Sequence, residues 1–336
     1  MKKLSTTPLS VLDLVTYAEG TAVKEAFRNS RRLAQEAERW GYRRYWVAEH
    51  HNLDGIASSA TVVLMGYLAE ATSTIRIGSG GIMLPNHAPF IVAEQIGTLE
   101  SIYEKRIDLG LGRAPGTDPL TMRALRRHST GADFDEEVAE LASYFAPVAE
   151  GQRVKAIPGA GLDIPIWILG SSTYSAHLAA SIGRPYAFAS HFAPGDLMEA
   201  LEIYRREFKP SPALDKPHVM VGVPAMAADT DEEAEFLATS MYQRSLGIVR
   251  GQRAALLPPV KSMDGIWTPA EQYAMAERMA LMVVGGPARV KDGLQQIIDA
   301  TQADELIVVS DAYRPEDRLK SFDIIAQAAE LPRTID

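Results

Sequence analysis

Four short stretches of the chain carry residue types that could do chemistry, and each follows a run of apolar residues. The first is Glu49-His50-His51-Asn52, after Tyr45-Trp46-Val47-Ala48. Histidine is the side chain whose charge changes most readily near neutrality, so one of the pair is a candidate general acid or base. Neighbours along a strand point to opposite faces and no third ligand stands at metal-binding spacing, so no metal is expected here. The alternative is a hydrogen-bonded structural pair that finishes the strand. The second stretch, Gly78-Ser79-Gly80-Gly81, runs into Ile82-Met83-Leu84-Pro85-Asn86-His87. Glycines at Gly80 and its neighbours let a flat ligand approach the backbone, or they serve only the turn. A dinucleotide fingerprint would open directly into a helix, and this segment does not.

The third and fourth stretches suit an anion. In Asp108-Leu109-Gly110-Leu111-Gly112-Arg113-Ala114-Pro115-Gly116 an arginine stands among glycines, and its planar fork matches phosphate oxygens. A packing or salt-bridging role for Arg113 is the competing reading. In Trp167-Ile168-Leu169-Gly170-Ser171-Ser172-Thr173-Tyr174-Ser175 an apolar run stops at glycine and hydroxyls before a helical pattern. A helix N-terminus offers an anion free N–H groups and the positive end of a dipole, although serine as a plain N-cap is the commoner use. If the two stretches end neighbouring strands, Arg113 and the serines can meet on one phosphate. The sequence has no G-x-S-x-G elbow, no GxxxxGK[ST] loop and no HExxH helix, so a cofactor is expected to carry the chemistry. His87, Tyr17 and Trp267 are further candidates for a substrate pocket, with packing as the alternative for each.

Eight β-rich runs are available to position these stretches: Leu9–Leu14, Arg44–Ala48, Ile75–Ser79, Ile107–Leu111, Ile166–Leu169, Tyr186–Ser190, Val219–Pro224 and Leu306–Ser310. They alternate with amphipathic helical patterns such as Lys24–Trp40, which Gly41 ends. Such alternation means parallel strands joined by crossover helices. Eight strands without a nucleotide fingerprint point to an α/β fold closed as a (β/α)8 TIM barrel rather than an open doubly wound sheet, with function at the C-terminal strand ends. At 336 residues and 46% hydrophobic content, one domain over residues 1–336 is expected. Gly151–Pro165 reads as a surface loop. Leu246–Thr268 is too irregular for one helix and reads as an insertion near residues 246–268, a candidate lid.

Composition removes whole classes of function. With no cysteine there is no disulfide, thiolate-held metal or cysteine nucleophile. A net charge of −9, with only local basic groups such as Arg123, Arg126 and Arg127, gives no footprint for nucleic acid. The N-terminal stretch lacks a signal-peptide core, and no apolar run approaches the roughly 18–20 residues that span a bilayer. A cytoplasmic protein with no membrane partner is expected.

Together these residues resemble the luciferase-like monooxygenase family, in its small bacterial members with a VAEHHN segment. The carriers are Val47–Asn52, Ile77–Pro89, Ala93–Leu99, Asp108–Asp118 and Ile166–Ser175, and the likeness covers nearly the whole chain. It implies a (β/α)8 barrel that binds reduced FMN (FMNH2), or in one branch a deazaflavin, at its C-terminal mouth. By motif, His50 matches the active-site histidine and Glu49 its strand-end neighbour. Arg113 matches the phosphate-contacting arginine, while Ser171, Ser172 and Ser175, following Gly170, match the phosphate loop. Ser79 and Gly80 fall where the family often has a non-proline cis peptide beneath the flavin ring.

The implied activity is oxygenation of a small organic molecule with O2. FMNH2 would come from a separate flavin reductase, since no nicotinamide site is visible, and the family's usual state is a homodimer. Two rivals are hydride transfer with a deazaflavin or nicotinamide and non-catalytic flavin binding. Gly112 stands where luciferase catalytic subunits have a reactive cysteine, and Ser171 where the phosphate loop has an acidic residue. Both departures argue against light emission.

Overall fold

A computed structural model describes residues 2–114, 117–125, 133–252 and 254–334 of the chain. Of the residues singled out above, Pro115, Gly116, Arg126 and Arg127 lie outside the described residues. Ten strands are present: β1 (Leu9–Asp13), β2 (Arg44–Val47), β3 (Arg76–Ser79), β4 (Ile82–Met83), β5 (Ile107–Gly112), β6 (Ile166–Gly170), β7 (Tyr186–Phe188), β8 (Val219–Ala227), β9 (Val283–Gly285) and β10 (Glu305–Val309). Eight of them, β1-β2-β3-β5-β6-β7-β8-β10, pair in parallel, and β10 returns to β1 to close the barrel. Each of the eight expected runs overlaps one of these strands. The two short strands were not foreseen: β9 extends the sheet from the far end of β8, and β4 resumes pairing with β5 after a break.

That break has a local cause. Gly78 pairs with Asp108 and Ile82 with Leu111, so four steps along β3 and β4 face three along β5, a bulge. Ser79 stitches across it: its Oγ donates to Gly110 O at 2.8 Å and accepts from Gly110 N at 2.9 Å. A Cβ at Gly110 would lie 2.2 Å from Ser79 O, so only glycine admits this approach.

Helices α1 (Val23–Arg39), α2 (Thr61–Glu70), α3 (Pro89–Ile102), α4 (Pro119–Ala124), α5 (Phe134–Phe145), α6 (Thr173–Ser181), α7 (Leu197–Glu207), α8 (Asp231–Val249), α9 (Pro269–Arg278), α10 (Pro287–Thr301) and α11 (Pro315–Ala328) fill the crossovers. The amphipathic reading of α1 holds: Ala26, Ser30, Leu33, Ala34 and Ala37 form its buried stripe. Gly41 follows with φ +85°, and a Cβ there would meet Pro332 O at 2.4 Å. The segment 146–165 carries no helix or strand, as its glycine and proline content suggested.

The barrel interior is built in layers. Leu12, Trp46, Trp167, Ala187, Met220, Ile307 and Val309 form an apolar layer in which the two indoles meet edge to face, 5.3 Å apart. Towards the N-terminal strand ends lies an ionic layer. Arg44 Nη1 donates to Asp108 at 2.6 Å and Nε to Glu305 at 3.0 Å, and Arg76 also pairs with Asp108. All three charged groups of the Arg44 cluster are buried, so each depends on the others. These two layers floor the opposite, C-terminal mouth.

Candidate active site

A cavity of about 350 Å³ opens at the C-terminal ends of the strands, within the size range of small-ligand sites. Its walls bring together residues far apart in sequence, many of them at or just beyond the end of a strand. His50 follows β2, Gly80 and Gly81 form the bulge after β3, Gly112 and Arg113 end β5, and Gly170 to Ser175 join β6 to α6. Of the nine residues expected at the site, His50, Gly80, Arg113, Gly170, Ser171, Ser172 and Ser175 line this one cavity.

Two do not, and both have structural work instead. Ser79 is fully buried in the bulge described above. Glu49 points away from the cavity and is 1% exposed. Its carboxylate receives His51 Nε2 and His87 Nε2 at 2.9 Å, Asn86 Nδ2 at 3.2 Å and Met83 N at 3.1 Å. Burial alone would raise its pKa, but these hydrogen bonds from His51, His87 and Asn86 pull it down to about 2. Glu49 is therefore the anchor that ties the end of β2 to β4 and the turn beyond it, behind His50. The non-proline cis peptide is Gly80-Gly81, one bond beyond the position expected at Ser79 and Gly80.

The two stretches expected to meet an anion sit side by side because β5 and β6 are neighbours. Ser172 is the N-cap of α6, yet its side chain makes no capping bond, so the first turn offers its N–H groups to the cavity. Ser175 is spent on the loop itself: its Oγ donates to Ser172 O at 2.9 Å and lies 3.2 Å from the Tyr186 hydroxyl. Gly170 makes this possible, since a Cβ there would lie 2.1 Å from Ser175 Oγ. Arg113 stacks with its Cζ 3.9 Å from the centre of the Tyr174 ring, whose hydroxyl donates to Asp135. Burial, then Asp135, pushes the Tyr174 hydroxyl up to about 12, so it stays protonated.

Several cavity residues were not anticipated. His191 follows β7, and burial, then the charge of His50, pushes its pKa down to about 4. Its Nδ1 is shut from solvent with no hydrogen-bond partner among the described residues. Gly222 leaves it room, because a Cβ there would meet Nδ1 at 2.5 Å. Asp311 follows β10 and pairs with Arg244 of α8. The rule that strand ends carry chemistry would have found His191 and Asp311; nothing in the local sequence marked Arg244 or Arg278.

Three expected pocket residues lie elsewhere. His87 is bound to Glu49, Tyr17 packs against the core, and Trp267 stacks on Tyr242 at 6.3 Å. Of the segment Leu246–Thr268, read as a candidate lid, Leu246–Val249 belongs to α8 and contributes Ile248 to the cavity wall, and residues 256–260 are held on the loop after β1 and on α8. Leu256 bonds Tyr17 O and Glu19 N, Leu257 O accepts from Ser240 Oγ at 2.8 Å, and Val260 N donates to Thr239 Oγ1 at 2.8 Å. The cavity is covered by Met241, Arg244, Ser245 and Ile248 of α8 and by Arg278, Met279 and Met282 at and beyond the end of α9.

A closed parallel barrel with an arginine, a helix N-terminus and two histidines lining a cavity at its C-terminal mouth is the class that this fold and site define. The profile of the luciferase-like monooxygenase family matches residues 7–304. The Bacillus subtilis protein YvbT is 55% identical over 95% of this chain and 96% of its own length. A luciferase-like monooxygenase of Escherichia coli strain K12 is 50% identical over 97% of this chain and 98% of its own. Among solved structures, apo-MsnO8 superposes with a TM-score of 0.91 at 34% identity, covering 98% of this chain and 100% of that one. The chain belongs to the luciferase-like monooxygenase family, a family of oxidoreductases. Among the described residues no helix is long and apolar enough to cross a membrane, and no cluster of potential metal ligands is present.

Proposed function

We propose that the chain is an FMNH2-dependent monooxygenase that uses O2 to oxygenate a small organic molecule. The observation that carries this reading is the cradle of Arg113 and the uncapped start of α6, opening directly onto a cavity lined by His50. The residues present fit a flavin mononucleotide. A phosphate would sit between the Arg113 guanidinium and the α6 N–H groups. Backbone at Gly80, Gly81, Gly112 and Gly170 lines the cavity, where a flat ring would lie.

When bound, reduced flavin supplies the two electrons that activate oxygen. One oxygen atom goes to the substrate and the other leaves as water. The chain's own residues bind, orient and shield. Arg113 and the α6 turn would hold the phosphate, His50 would move a proton in the cavity, and the methionines and Ile248 of the cover would help to exclude water. Reduced flavin would come from a separate flavin reductase, and the protein would work in the cytoplasm as a homodimer. Exposed Val63 and Tyr67 on α2 and Ile91 and Ile102 on α3 are apolar surface that a second copy would cover.

The test compares FMN with riboflavin, which lacks the phosphate. Arg113→Ala should weaken FMN binding roughly tenfold to a hundredfold and leave riboflavin binding unchanged. Unchanged FMN affinity in a folded variant, or an equal loss for riboflavin, would remove Arg113 from the phosphate.

A further inference from the structure

Besides Arg113, the cavity is lined by two arginines of its cover, Arg244 and Arg278, and they differ in one respect. Arg244 is paired with Asp311, and Asp311 also accepts from Thr16 Oγ1 at 2.9 Å. Arg278, the last residue of α9, is half-buried on the same cavity with its Cζ 4.8 Å from the centre of the Phe192 ring. Among the described residues it has no ion pair, and no charged neighbour offsets the effect of burial on its guanidinium. A guanidinium keeps its charge at any physiological pH, so this half-buried group, partnered only by the face of the Phe192 ring, is open to an anion supplied by a ligand. Apolar Met241, Ile248, Met279, Met282 and Phe192 line the cavity with it, as do the polar Arg244, Ser245 and Asp311. Arg278, His50 and His191 line the same cavity.

We infer that Arg278 receives the carboxylate of a small substrate whose apolar body lies against the methionines and Ile248 and whose reacting end reaches the region of His50. This inference rests on the monooxygenase reading for the identity of the site, but it concerns binding and needs no turnover. A planar guanidinium beside a ring presents its remaining N–H groups as a fork, which matches a carboxylate in two-point contact.

The experiment titrates wild type, Arg278→Gln and Arg278→Lys with octanoate and with octanamide, its uncharged analogue, by calorimetry, in the absence and presence of saturating FMN. Wild type should bind octanoate roughly tenfold to a hundredfold more tightly than octanamide. Arg278→Gln should abolish that preference while keeping its octanamide affinity, and Arg278→Lys should restore part of it. FMN affinity should be the same in all three proteins. Equal affinity for the two probes in wild type, no octanoate binding, or a preference that survives in Arg278→Gln overturns the inference. So does a loss of FMN affinity in Arg278→Gln, which would place the residue on the flavin phosphate instead. Because every readout is binding, an enzyme that failed to activate oxygen would leave this result intact.

Discussion

Replacing Gly170 by alanine should damage the anion cradle by an amount that the packing sets. The new Cβ would lie 2.1 Å from Ser175 Oγ and 2.6 Å from Ser175 Cβ, far inside van der Waals separation. Ser175 is 4% exposed and has nowhere to turn without releasing Ser172 O and the Tyr186 hydroxyl. Two neutral hydrogen bonds contribute about 1 kcal/mol each, and forcing atoms into a packed site costs about 1–3 kcal/mol. Since yielding in one way relieves the other, the expected loss is about 2–4 kcal/mol in urea unfolding. FMN affinity should fall as well, because the same hydroxyl holds the N-cap of α6. The decisive assay is a double-mutant cycle with Ser175→Gly, which removes both clashing atoms. In that background Gly170→Ala should cost less than about 1 kcal/mol, giving a coupling of about 2 kcal/mol. A single variant as stable as wild type, or a cycle additive to within about 0.5 kcal/mol, would refute the reasoning.

His50→Ala should lower turnover roughly 10²- to 10⁴-fold, with FMN affinity kept within about twofold. Steady-state kinetics alongside flavin titration checks this, and a variant that loses its fold instead would make His50 a structural residue. Glu49 gives a pH prediction. Its folded pKa of about 2 lies below the ordinary 4.5, so its contribution is complete above pH 4.5 and lost as the pH falls from 4.5 towards 2. The difference of roughly 2.5 units corresponds to on the order of 3 kcal/mol. Urea unfolding of wild type should therefore show a steep acid limb in that window, which Glu49→Gln flattens. An identical acid limb in the variant would show that Glu49 is not the group titrating.

Most of the barrel was legible in the sequence because parallel strands buried on both faces leave short apolar runs that punctuate amphipathic helices, and all eight runs are strands. Most of the site was legible for a related reason: chemistry falls at strand ends, and Arg113 and Ser171 to Ser175 stand on neighbours that the strand order predicts. The errors came from orientation and from long-range folding. Residues that alternate at a strand end face opposite ways, so Glu49 and His50, adjacent in sequence, part company, one into a buried anchor and the other into the cavity. Ser79 carries a hydroxyl as Ser171 does, but the bulge turns it into the sheet. The lid was legible only in part, because irregular sequence says where a loop is, not where it is pinned. Hydrogen bonds from Val260 N to Thr239 and from Ser240 to Leu257 O hold the loop on α8, while Ile248, from the start of the expected segment, joins Met282 in the cavity wall. Arg278 could not be foreseen, since its place depends on how α9 docks. The ionic layer around Arg44 was invisible because its partners Asp108 and Glu305 are brought together only by barrel closure.

The central claim is tested most directly by mixing oxygenated buffer with anaerobic protein saturated with FMNH2 and recording the flavin spectrum with time. The account predicts a resolved absorbing species, distinct from both reduced and oxidised flavin, that outlives the reoxidation of free FMNH2. Reoxidation at the rate of the free cofactor, or no binding of FMNH2 at all, would contradict it.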